Sequence, residues 1–182
     1  MRFNLSILFI AFTLFASMTS LNLQANEQQI FVVRHVEKLK GKDPELSMAG
    51  QKRARALAAL MANQPINMLI ATQFKRTQQT LEPLAQAKLL NLTIVAAQRP
   101  LIHHVAQTIN MAKSSSGSVI IAGHSNTVPM ILTALGIKQP IELTESDYGD
   151  LFLLNLKDDQ LISWKRSHFG DAPTLKQIQN VR

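Results

Sequence analysis

The chain has 182 residues, 46% of them hydrophobic and 17% charged, with a formal net charge of +7. That balance excludes a disordered chain and fits one globular domain. Aromatics are only 5% and the 19 Lys and Arg are scattered, which excludes a basic nucleic-acid-binding stripe; without cysteine there is no disulfide framework and no thiol chemistry.

Residues 1–25, MRFNLSILFIAFTLFASMTSLNLQA, place Arg2 ahead of an apolar run from Leu5 to Ala16 and a more polar stretch ending at Ala25. This is the layout of a secretory signal peptide, so residues 26–182 are expected to be exported, to the periplasm in a bacterium. The apolar run falls short of the roughly 20 residues that cross a bilayer, so no stable span is expected after cleavage. Asn26–Gln29 read as a polar lead-in, and Ile30–Val33 as a buried strand without alternation. KLKGKDPE reads as a loop, and Ser47 as the cap of a helix reaching about Asn63, with Leu57, Leu60 and Met61 on one face. INMLIAT is a second buried strand. QFKRTQQTLEPLAQAKLL gives a loop and a helix, with Pro83 as a kink or helix start. LTIVAA is a third strand, PLIHHVAQTINMAK a helix, and VIIAG a fourth strand. Thr127–Leu135 is a helix closed by Gly136. DLFLLNL and LISWKRS flank KDDQ as a hairpin, and Pro173–Arg182 is a tail or short helix. The alternation predicts an α/β fold, a three-layer α/β/α sandwich with a mostly parallel central sheet and an antiparallel edge strand.

Open sheets of this kind bind ligands beyond the carboxyl ends of their strands. Three predicted strands carry cationic or imidazole side chains there: Arg34 and His35 after IFVV, Arg76 after INMLIAT, and His124 after VIIAG. Arginine offers a planar fork of donors suited to phosphate oxygens, and a neutral imidazole nitrogen is a competent nucleophile toward phosphorus. The backbone N–H groups after His124 open a helix, which adds an anion site. Converging, these residues would form a cationic pocket.

The same residues carry a resemblance to the histidine phosphatase superfamily, also called phosphoglycerate-mutase-like. Arg34-His35-Val36-Glu37 resembles its opening Arg-His-Gly or Arg-His-Ala motif, with Val36 bulkier than usual and expected to narrow the pocket. DPELSMAGQKRARALA and ATQFKRTQQTLEPLA are similar to its next segments, Arg76, Thr77 and Thr80 matching and Thr72-Gln73 standing for the more frequent Ser-Ser. AGHSNTVP is similar to the second-histidine motif of the small phosphohistidine-phosphatase-like branch, and the likeness runs from about Ile30 to Leu156.

That resemblance implies a phosphatase that needs no metal and no cofactor. His35 would attack phosphorus and become phosphohistidine, while Arg34, Arg76 and His124 bind the phosphoryl oxygens, His124 preferably protonated. The implied substrate is a small phosphomonoester or phosphoramidate, with an envelope sugar phosphate or a phosphoprotein among the candidates. For the proton donor to the leaving group, Glu37 and His103 are the candidates, with His104, Asp147 and Asp150 as further options. Two other readings stand beside this one: a phosphate-binding member of the fold without turnover, and a serine hydrolase using Ser125 with Asp150 and His168.

Overall fold

The computed structural model describes residues 27–170, so the expected signal peptide and the tail from Pro173 lie outside the described residues. The first strand, β1 (Glu27–Arg34), starts earlier than its apolar run. Gln28 is buried because its side-chain amide donates to the carbonyls of Ala112, Ser115 and Gly117, so the polar lead-in is part of the sheet. Helix α1 (Met48–Leu60) follows, its first turn capped by the Ser47 hydroxyl, which accepts from Gly50 N at 3.2 Å. Leu57 and Met61 face the core as expected, whereas Leu60 is half exposed. Next come β2 (Ile66–Ala71), α2 (Lys75–Lys88) with Pro83 inside it, and the short β3 (Leu92–Ile94). The remainder is α3 (Leu101–Lys113), β4 (Ser118–Gly123), α4 (Thr127–Ala134), β5 (Asp150–Lys157) and β6 (Gln160–His168). No helix among the described residues is long and apolar enough to cross a membrane.

The six strands form one sheet in the order β3-β2-β4-β1-β5-β6. β3, β2, β4 and β1 are mutually parallel, while β5 pairs antiparallel with both β1 and β6. The reversed strand is therefore β5, inside the sheet, and the outermost strand β6 runs with the parallel set. The expected antiparallel edge strand is β6, which closes the sheet by pairing antiparallel with β5. The cause is the hairpin turn at Asp158-Asp159, both at positive φ, which folds β6 back along the outer side of β5.

Successive residues of each central strand point to opposite faces, and helices cover both. Ile30, Val32, Ile121 and Phe152 pack with Val105 of α3 and Ile131 of α4. Phe31, Val33, Ile120 and Ala122 pack with Leu57 of α1 and Leu81 of α2. Burial on both faces is why these strands read as unbroken apolar runs. With β2, β4 and β1 adjacent and parallel, their carboxyl ends emerge side by side.

Candidate active site

Those three strand ends bring together Arg34, His35, Arg76 and His124, all of which line one cavity of about 380 Å³. Arg34 is the last residue of β1, and His35 N donates to the Gly123 carbonyl at the end of β4, at 2.9 Å. That bond fastens the two half-sites, and the His35 and His124 rings stand 5.5 Å apart, edge to face. Arg76 enters from the first turn of α2, its guanidinium over the Phe74 ring at 4.4 Å. Arg34 lies over Tyr148 at 4.5 Å and is 1% exposed.

His35 Nδ1 is 2.9 Å from the Val36 carbonyl oxygen. A carbonyl only accepts, so Nδ1 carries the proton and Nε2 keeps its lone pair. Burial lowers the His35 pKa to about 4; the Val36 hydrogen bond opposes this, and Arg34, Arg76 and Lys38 reinforce it. Burial likewise lowers His124 to about 3, helped by Arg76, His35, His104 and Arg34. Both rings are thus neutral at pH 7, and a protonated His124 requires an anion beside it. His124 Nε2 meets the Thr72 hydroxyl at 3.1 Å, which in turn meets Thr77 at 2.8 Å. Three buried nitrogens of the pocket, the Nε donors of Arg34 and Arg76 and the ring Nδ1 of His124, have no hydrogen-bond partner. Unpaired nitrogens gathered at one pocket are costly in isolation and, with His124 protonated at Nδ1, well placed to hold one oxyanion.

The acid candidates fall elsewhere. Glu37 does not line the pocket; Arg53 of α1 holds its carboxylate through Nε at 2.9 Å and Nη2 at 2.7 Å, and the loop after His35 turns it toward that helix. His103 is exposed on α3 and also outside the lining, while His104 is buried beneath it with its pKa lowered by burial. Asp150 is held by Arg166 through two bonds, and Asp147 accepts from Thr144 N. Val36, expected to narrow the pocket, packs into the core at 0% exposure. The carboxylate that does reach the pocket is Glu145, in the connection between α4 and β5. Its Oε2 accepts from Arg34 Nη2 at 3.1 Å, and its Oε1 accepts from the Ser125 hydroxyl at 3.2 Å. Arg34 Nη1 donates to the neighbouring Thr144 carbonyl. No motif flags Glu145; the available signal was that a connection leading into a reversed strand must return to this rim. The triad reading is not assembled, since Ser125 meets Glu145, Asp150 meets Arg166, and His168 Nε2 stands 3.4 Å from Arg53 Nη1.

Residues 26–99 match the family model described as the histidine phosphatase superfamily, branch 1. No curated protein matches in sequence. Among solved structures, the fold is similar to mycobacterial glucosyl-3-phosphoglycerate phosphatase, at 14% identity and a TM-score of 0.58, over 80% of this chain and 100% of that one. It is similar to the protein histidine phosphatase SixA complexed with tungstate, at 18% identity and TM-score 0.61, over 77% and 96%. The alpha-ribazole phosphatase from Shigella flexneri is similar at 12% identity and TM-score 0.61, over 73% and 93%.

Proposed function

From the match of residues 26–99 to the histidine phosphatase superfamily model and the shared fold, we propose that the chain is a member of that superfamily and hydrolyses small phosphomonoesters or phosphoramidates through a phosphohistidine on His35. The observation that carries this reading is the set of unpartnered nitrogens, Arg34 Nε, Arg76 Nε and His124 Nδ1, in the same pocket as a His35 whose proton is fixed on Nδ1. In the proposed reaction Nε2 attacks phosphorus in line, and the phosphoryl charge spreads onto the two guanidiniums and His124. Water then cleaves the P–N bond. The positive charge needed comes from side chains, so turnover is expected to survive EDTA and to be inhibited by vanadate. Lys38 and Arg99 at the same pocket favour an anionic substrate further. Residues 1–25 support an exported enzyme, for which envelope sugar phosphates and phosphoproteins are the proposed substrates.

Rapid quenching with a radiolabelled phosphoester tests the mechanism. Label is expected on His35, acid-labile and alkali-stable. His35→Ala abolishes both label and turnover, and Arg34→Ala, Arg76→Ala and His124→Ala each lower kcat about 100-fold or more by removing a donor to the transition state. Phosphate binding without any phosphoenzyme would instead make the chain a binding member of the fold.

A further inference from the structure

Glu145 is the single carboxylate among the described residues that line the pocket. Its side chain is 79% exposed, whereas Arg34, its partner, is 1% exposed. The ion pair therefore runs from the buried wall of the pocket to its mouth. His35, at 3% exposure, lies at the buried end. In-line displacement sends the leaving group away from the nucleophile, and here that is toward the mouth, where Glu145 stands. Resting on the phosphohistidine reading, we propose that Glu145 is the proton donor to the leaving oxygen, freed for that role when the phosphoryl group takes Arg34 from it.

The fork of Arg34 cannot serve both partners fully. A phosphoryl dianion offers more charge and more acceptor oxygens than one carboxylate, so it displaces Glu145 from Nη2. The released carboxylate then faces phosphoryl oxygens of like charge, and uptake of a proton from solvent removes that repulsion. As the bond from His35 Nε2 to phosphorus forms, the ester P–O bond breaks. The electron pair goes to the leaving oxygen, which takes the proton of Glu145. In the second half, the Glu145 carboxylate takes a proton from water as the water oxygen bonds to phosphorus, and the P–N pair returns to Nε2. The Ser125 hydroxyl, bonded to Oε1, holds the carboxyl at the mouth throughout.

The test compares two substrates that differ in leaving group: p-nitrophenyl phosphate, which needs little protonation, and glycerol 2-phosphate, an alkyl ester that needs it. Glu145→Gln, an isosteric change at an exposed position, is expected to lower kcat on the alkyl ester about 100-fold or more, and on the aryl ester no more than about fivefold. Glu145→Asp is expected to recover part of the alkyl activity. Equal losses on both esters would reduce Glu145 to a structural support. A gain on both would make it only a rival of substrate for Arg34, and unchanged alkyl turnover would place the donor elsewhere; any of the three overturns the proposal. The wild-type protein separates this from the reading beneath it. If it forms no phosphohistidine, both fall; if it does and Glu145→Gln fails to discriminate, only the Glu145 proposal falls.

Discussion

His35 and His124 share a residue type and a pocket, yet the proposed mechanism asks opposite things of them. His35, with its pKa lowered to about 4, is neutral above that pH, and protonation below it ties up the Nε2 lone pair. Turnover is therefore lost as pH falls through about 4. His124, lowered to about 3, is neutral at pH 7 and gains a proton only when a dianion stands beside it. Binding of sulfate, a dianion throughout at pH 7, should accordingly take up protons, read from how the calorimetric heat varies with buffer ionisation enthalpy. His124→Asn should lower that uptake, leaving only the share taken by Glu145, and a wild-type heat independent of buffer would contradict it. Arg34, His35, Arg76 and His124 were legible in the sequence because each follows a buried apolar run directly, where the end of a parallel strand is predictable. Glu37 was misplaced because nearness in the chain is not nearness in the pocket; Arg53, a helix away in sequence, claims it. Glu145 sits in a stretch without periodicity, and only the tertiary return of that stretch gives it meaning.

The turn after His35 is clamped by the first turn of α1. Ser47 N donates to the Glu37 carbonyl at 3.0 Å, and Gly50 lies so close that a Cβ there would stand 2.0 Å from the same oxygen. The obstacle is backbone on both sides, so neither can yield by changing rotamer. Gly50→Ala should destabilise the protein by about 2 kcal/mol or more and lower kcat by moving His35, as measured by denaturant midpoint and turnover. An unchanged midpoint would mean the contact is slack. Helix boundaries were readable where the signal is local, as at Ser47 and at Gly136, whose φ is +111°. Strand limits and order were less so. Gln28 enters β1 through carbonyls some 84 to 89 residues away, and β5 lies inside the sheet because β1 pairs with its far side. Neither partner is visible in a local window.

The whole molecule is basic, at +7, and its pocket concentrates that sign: among the described lining residues, Arg34, Arg76, Lys38 and Arg99 stand against the one carboxylate of Glu145. Low-dielectric walls focus such a field on an approaching phosphoester. kcat/KM should fall severalfold as ionic strength rises from about 0.05 to 0.5 M, over which the screening length shrinks to a few ångströms. Lys38→Gln with Arg99→Gln should flatten that slope, and a salt-independent kcat/KM would show that rim charge plays no part in capture. The direction of β5 has one more outcome. Running against its neighbours, it begins where β1, β2 and β4 finish, so the connection that leads into it, residues 135–149, leaves the core near Ile137 and ends at the rim with Glu145. Its exposed part, residues 144–146, lies outside the core and can change in sequence without shifting the register of any strand. On the proposed reading, the four residues that would handle phosphorus come with the parallel strands, whereas Glu145 comes with the returning strip beside them.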